Sequence, residues 1–306
     1  MSAARLFIFN HIATNMSSGH RRLKISVVIA TFNEQKNIGR CLKSLRHQTL
    51  SPNQMEIIVV DNQSTDKTVA TAKKLADRIY LLSPNKQIKN SRGAQLNFGV
   101  AKSHGGIIFF PDADMTFDKK LLEEAFSLVC SKKIGALYIP EVIKGKGFFG
   151  KIRNFERSFY NATCIDAVRI VTKKLYQKVG GFDDKNIRFG PDDWDFTKRI
   201  KLLTDKISIT RNKLYHHEEN LKMATYFSKK SNYSQSFKEY IAKWGTGDPD
   251  IKKQFGLVYR YFTVYVENGK WRYFISALQL TIGLYFIRSI VGLNHLRQFF
   301  FKNENE

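Results

Sequence analysis

Two apolar runs fix the class of fold. Lys24-Ile-Ser-Val-Val-Ile-Ala30 and Met55-Glu-Ile-Ile-Val-Val-Asp61 are rich in β-branched residues and almost free of polar interruption, as strands buried on both faces must be. Between them Ile38, Cys41, Leu42 and Leu45 recur at helical spacing. After the second run, Thr65 or Asp66 can cap a helix carrying Val69, Ala72 and Leu75. Strand, helix, strand, helix demands parallel pairing through right-handed crossovers, hence an α/β fold. The same grammar predicts strands at 79–82, 106–111 and 134–139, helices at 92–102 and 119–131, and a Gly-rich turn at Gly145, Gly147 and Gly150.

Composition narrows the classes further. A chain of 306 residues that is 43% hydrophobic can bury a large core, which excludes a disordered chain. Cys41, Cys130 and Cys164 are odd in number and form no CxxC pair, so neither a disulfide framework nor a zinc site is expected. Residues 1–22 are expected to be a flexible extension without a secretory leader, and the cysteine usage leads to the expectation of a reducing, cytoplasmic setting. The net charge of +23 admits nucleic acid, an anionic membrane surface or a phosphorylated small molecule. It is no detachable tail: residues 220–306 hold 13 basic and 6 acidic residues, and residues 1–219 hold 37 and 21. The stretch 143–178 is locally dense in lysine and arginine and is expected on the acceptor or membrane side.

Past residue 220 the character changes. Tyr226, Tyr233, Phe237, Tyr240 and Trp244 form a stripe expected on one helix, packed on the preceding domain. Residues 273–287 carry no charge, Arg288 interrupts, and 289–293 is apolar again. Fifteen uncharged residues fall short of the roughly 20 needed to cross a bilayer. Interfacial or re-entrant membrane contact is expected, with a true span or a buried core helix as alternatives and Arg288 able to snorkel. The chain is expected to divide into an extension (1–22), an α/β domain that carries the chemistry (23–220) and a C-terminal helical region (221–306).

The chemistry gathers at strand ends. Asp112-Ala-Asp114 follows the run 107–110; in an extended chain the two carboxylates point to one side and Ala113 to the other, so a hard divalent cation, Mg²⁺ or Mn²⁺, is expected between them. Thr31-Phe32-Asn33-Glu34 and Asp61-Asn62-Gln-Ser64 end the first two strands on the same rim, where open α/β sheets bind ligands. Asp61 can accept from a pyrimidine imide, and Glu34 from ribose hydroxyls. Gly145-Lys-Gly-Phe-Phe-Gly-Lys151 has phosphate-loop spacing, but Ile152 stands where a magnesium-binding hydroxyl is required.

These stretches, with Ser91-Arg92-Gly-Ala-Gln-Leu-Asn97, Val179-Gly-Gly-Phe-Asp183 and Gly190-Pro-Asp192-Asp193-Trp194-Asp195, resemble the family-2 glycosyltransferases of the GT-A fold over about 23–220. The resemblance implies a mixed, mainly parallel sheet flanked by helices, and inverting transfer from a nucleotide-diphosphate sugar. It implies that Asp61 and Glu34 hold the nucleoside, that Arg92 lies by the diphosphate, and that Asp114 is the main metal ligand, with Asp112 beside it and His216 completing the shell. It implies Asp193 as the base, with Asp192 beside it where relatives carry Glu. Asp166, Arg169 and Trp194 fall on the acceptor side. The implied acceptor is a glycan, lipid-linked or at the cell surface, met at an anionic membrane. A nucleotidyltransferase would want a Gly-rich phosphate loop at 31–34, and a specific nucleic-acid binder would want a helix-turn-helix or zinc signature; neither is present.

Overall fold

The computed structural model describes residues 24–82, 91–187, 190–223, 225–226 and 234–301. The expected extension at 1–22 and Tyr233 of the aromatic stripe lie outside them. Both apolar runs are strands, β1 (Ile25–Thr31) and β2 (Met55–Asp61), paired in parallel with Ile25 opposite Met55 and Thr31 opposite Asp61. Helices α1 (Ile38–Arg46) and α2 (Thr68–Ala72) follow their strands. Next come β3 (Arg78–Leu81), α3 (Arg92–Ala101) and β4 (Ile107–Phe109). The chain continues through β5 (Met115–Phe117), α4 (Leu121–Lys132), β6 (Ala136–Tyr138), β7 (Glu141–Lys144) and α5 (Gly147–Ser158). The α/β part closes with β8 (Ile170–Thr172), α6 (Lys173–Val179), α7 (Asp192–Leu203), β9 (Ile207–Ile209) and β10 (Leu214–His217).

The main sheet has the order β3-β2-β1-β4-β8-β6-β9. Its first four strands are parallel, and β8 enters antiparallel between β4 and β6. A second, three-stranded sheet β5-β10-β7 stands beside it. One core layer packs α1 and α4 on the sheet through Ile29, Leu42, Ile57 and Leu122. The opposite layer packs α3 and α7 through Val28, Leu96, Phe110, Phe182 and Phe196. Helix α3 lies so close that a Cβ on Gly99 would fall 2.3 Å from Val28 Cγ1. The turn at 145–150 is instead the end of β7 and the start of α5, and its glycines serve backbone contact: a Cβ on Gly150 would lie 2.3 Å from the Gly145 carbonyl carbon.

The C-terminal region comprises α8 (Ser234–Trp244), α9 (Pro249–Phe255), a π-to-α segment at 259–266, α10 (Trp271–Ser276) and α11 (Leu278–Phe301). The aromatic stripe is divided between two clusters. Tyr226 packs with Phe149 and under Arg153, whereas Phe237 and Tyr240 pack with Trp194 and Phe255. Among the described residues no helix is long and apolar enough to cross a membrane. Arg288 does not reach outward to snorkel. It is buried, donating to Glu156 of α5 at 2.7 Å and to the Tyr160 hydroxyl, with Arg153 holding the other Glu156 oxygen at 2.9 Å. Removing one member of a buried charge cluster strands the others. Glu156→Gln is therefore expected to cost about 3 kcal/mol in urea unfolding, chiefly by leaving the buried Arg288 short of its counter-charge, since Arg153 keeps Glu218.

Candidate active site

The β1 and β2 turns are fastened to each other. Asp61, fully buried, accepts from Thr31 Oγ1 (2.8 Å), the Ser64 amide (2.7 Å) and Ser64 Oγ (2.6 Å). The Asn33 amide donates to Ser64 Oγ at 2.8 Å, and Asn33 Oδ1 accepts from the Thr65 amide at 2.9 Å. The Asn62 amide donates to the Thr31 carbonyl at 2.9 Å. Asn33 holds a left-handed backbone (φ 55°), which asparagine tolerates through such local hydrogen bonds. Glu34 Oε2 accepts from Asn37 at 2.9 Å. Phe32 is left 54% exposed at the rim, an open ring beside a polar shelf. Gln95 of α3, which nothing in the sequence singles out, ties the two strand ends together by donating to the Thr31 and Val60 carbonyls at 3.0 and 2.8 Å.

The aspartates of 112–114 part company. The chain has left β4 and is turning toward β5, with the Met115 amide donating to the Asp112 carbonyl. In an extended chain the two carboxylates would share one side, and at this turn they take different partners. Asp112 accepts from Arg92 Nε (3.1 Å) and Arg169 Nη1 (2.9 Å), whereas Asp114 Oδ2 meets His216 Nε2 at 3.0 Å. Burial opposes ionisation of Asp112, but the two guanidiniums outweigh it and hold the carboxyl at about 2. Ala113 is buried in the core under the turn, so its side chain contributes packing.

Arg92 is the hub. Its Nη1 donates to Asp192 Oδ2 at 3.0 Å and to Asp193 Oδ1 at 2.8 Å, while the guanidinium also pairs with Asp112 and lies 5.9 Å from the Phe182 ring centroid. One cation thus joins the turn after β4 to the first turn of α7. Asp192 is buried and Asp193 half-buried. Burial, then the Asp193 charge alongside, pushes Asp192 up to about 6 against the pull of Arg92.

Behind this layer stands a second. Glu141 accepts from Arg157 (3.1 Å) and meets His216 Nδ1 at 3.0 Å, with Arg169 at 3.9 Å. Arg157 also donates to Asp166 at 2.6 Å. Glu141 and Arg157 escaped the sequence reading, since a lone Glu in a short strand gives no signal. Asp166 is buried and fixes the loop by accepting from the Ala162 amide at 2.7 Å. Trp194 donates to the Ile165 carbonyl at 2.8 Å and stacks on Phe237, which makes it an anchor for α8. In the basic stretch 143–178 the arginines at 153, 157 and 169 turn inward into ion pairs, while Lys144, Lys146, Lys151, Lys174 and Lys178 are exposed.

Among the described residues no three His, Cys, Asp or Glu side chains form a ready-made metal cage. Asp114 and His216 nevertheless fit a divalent cation. Asp114 Oδ1 is buried with no hydrogen-bond partner, and Glu141 backs the far nitrogen of His216 as a carboxylate commonly backs a metal-binding imidazole. Magnesium-like ions are often held by one or two protein ligands plus substrate phosphates. Asp112 fits less well, because both of its oxygens face arginine. His217 is turned away, pairing with Thr116 and Glu219.

Residues 26–190 match the model of glycosyl transferase family 2. The chain belongs to that family. Among family relatives it is similar to the poly(ribitol-phosphate) beta-N-acetylglucosaminyltransferase TarS of Staphylococcus aureus, 25% identical over 208 residues, covering 64% of this chain and 35% of TarS. It is also similar to a beta-monoglucosyldiacylglycerol synthase of Nostoc, 25% identical over 195 residues, covering 58% of this chain and 41% of that enzyme. The chain thus spans about a third to two fifths of the length of these relatives. TarS 1–349 in complex with UDP-GlcNAc superposes with a TM-score of 0.53 at 20% identity, covering 81% of this chain and 75% of that one. The mannosyltransferase PcManGT of Pyrobaculum calidifontis, in complex with GDP-Man and Mn²⁺, gives 0.56 at 17% identity, covering 96% and 88%. The family fold is GT-A, as the mixed sheet and its flanking helices also indicate.

Proposed function

We propose that this chain is an inverting glycosyltransferase that moves a sugar from a nucleotide-diphosphate donor to a hydroxyl of a glycan acceptor, lipid-linked or at the cell surface. One observation carries it: Arg92 ties the Asp112–Asp114 turn to the Asp192–Asp193 pair, so a phosphate-seeking cation and a base candidate share one site. The rim of Thr31, Phe32, Asn33, Glu34, Asn62 and Ser64 receives the nucleoside, with Asp61 shaping the shelf from within. Arg92 and the 112–114 turn lie by the diphosphate.

Asp193 takes the acceptor proton. Its Oδ1 is held by Arg92, which turns the other oxygen to the incoming hydroxyl. As the acceptor oxygen bonds to the anomeric carbon, the proton passes to Asp193, the sugar–phosphate bond breaks, and its electron pair leaves with the nucleoside diphosphate. Asp192 shares Arg92 with its neighbour and so helps to fix its position. Asp114 and His216 would hold Mn²⁺ or Mg²⁺, which when bound supplies positive charge to the departing diphosphate. Support for these donors and ions comes from relatives solved with UDP-GlcNAc, GDP-Man and Mn²⁺, and for a lipid acceptor from the name of the Nostoc relative. We place the reaction at the cytoplasmic face of a membrane, with no specific nucleic acid partner.

The test is a thermal-shift screen of nucleotide sugars with Mn²⁺ and Mg²⁺, followed by a transfer assay with the donor that binds. A saturating donor at about 100 times its Kd should add about 2.7 kcal/mol of stability. Asp114→Asn should remove the metal-dependent part of that gain, while the folded protein remains. Absence of any donor-induced shift across the screen would count against the proposal.

A further inference from the structure

Helix α11 has two apolar faces. Leu284, Ile287 and Arg288 are buried against α5, and the approach is close enough that a Cβ on Gly283 would fall 2.5 Å from Ile152 Cδ1. Leu278, Ile282, Phe286 and Leu293 recur at intervals of four, four and seven, one stripe on the opposite side, and each is 63–65% exposed. Phe262, 62% exposed, joins this stripe through its ring contact with Tyr285, and Ile275, 64% exposed, precedes it. Large apolar side chains exposed in one contiguous set mark a surface that something covers.

We infer that this outer face of α11, with Phe262 and Ile275, is a docking surface for an anionic lipid bilayer, on which the helix lies in the plane of the interface. Charge selects the occupant. On 249–293 the acidic residues are Asp250 and Glu267, and both are paired, with Lys198 and Lys270. Lys252, Lys253 and Arg272 are exposed, with Lys253 over the ring of Tyr259, in the same turn as Phe262, and Arg272 over the exposed ring of Trp271, an aromatic and basic border suited to lipid headgroups. Geometry selects the mode. A helix fastened along one side by the buried Arg288–Glu156 pair cannot be ringed by lipid, so it inserts one face and does not span. The surface is independent of the sugar chemistry, and its failure leaves the proposed reaction intact.

The experiment is co-sedimentation of the full chain with vesicles of equal parts phosphatidylglycerol and phosphatidylcholine, and with phosphatidylcholine alone. Binding is expected to the first mixture and to weaken in high salt. Burying Ile282 or Phe286 is worth at least about a tenfold change in partition, so Ile282→Asp and Phe286→Asp should each lower binding by that factor. Both side chains are exposed, and an unchanged circular dichroism spectrum will show that the variants fold. Lys252→Glu with Lys253→Glu should lower anionic binding alone, and Trp271 emission should shift to the blue on vesicles. Undiminished sedimentation of the aspartate variants, equal binding to the neutral vesicles, or a lipid-free dimer that the same variants dissociate would each overturn the inference.

Discussion

Asp193→Asn is expected to lower kcat for sugar transfer by about 10³-fold, within the range that a positioned general base supplies, while donor Kd stays within about twofold. The separation of the two effects follows from the site. Asp193 meets Arg92 through one oxygen only, and the amide keeps an oxygen that can accept the same hydrogen bond. What the amide cannot do is take a proton at neutral pH. Asp192 does not replace it: it is buried, and its Oδ2 is already committed to Arg92. Steady-state kinetics with the donor found by thermal shift, beside isothermal titration of the same donor, measures both numbers. Full turnover in this variant would remove Asp193 from the role of base.

Arg92→Ala is expected to be the most damaging single change to the site. Asp112, Asp192 and Asp193 all pair with this side chain, and stranding buried charge typically costs about 3–5 kcal/mol. The loss should depend on pH, and its sign follows from the carboxylates. Asp112, held at about 2, contributes stability that is present above its unfolded value near 4 and fades as the pH falls toward 2. Asp192, pushed up to about 6, has the opposite sign: its ionisation costs stability as the pH rises through that range. Without Arg92 the first contribution shrinks and the second cost grows. The gap between wild type and variant should therefore be full at pH 7 and narrow as the pH falls to 4 and below. Urea midpoints across that range measure it, and a gap that is flat with pH would mean that Arg92 acts through packing on Phe182. Arg92→Lys should recover part of the stability, because the charge returns, but, on the proposed role of Arg92 beside the diphosphate, little donor binding, because the planar fork does not.

The strand ends were legible because buried parallel strands advertise themselves. Val27 to Ala30 and Ile57 to Val60 admit no alternative, and the residues directly after them stand on the ligand-binding rim for topological reasons. The proximity of His216 to Asp114 follows from topology, since β10 pairs with β5 and sets His216 opposite Met115. Strand β8 was not legible. Three residues, Ile170 to Thr172, carry no measurable period, and their antiparallel entry between β4 and β6 is settled by long-range pairing. The different partners of Asp112 and Asp114 were not legible, because a two-residue alternation holds only while the chain stays extended, and here it turns. The dense basic stretch misled for a related reason. Most of its lysines face water, but its arginines balance Glu141, Glu156, Asp166 and Glu218 inside, and charge counting cannot separate the two. Arg288 repeats the lesson, since an arginine in an apolar helix faces whichever partner carries the carboxylate.

A single displacement assisted by one base has a stereochemical signature that requires no knowledge of the acceptor. With an α-configured nucleotide sugar and water standing in for the acceptor, time-resolved proton NMR of the first-formed free sugar reads the configuration directly. One attack opposite the leaving diphosphate, with Asp193 receiving the proton, gives the β anomer first, which then equilibrates. Appearance of the α anomer first would contradict the account.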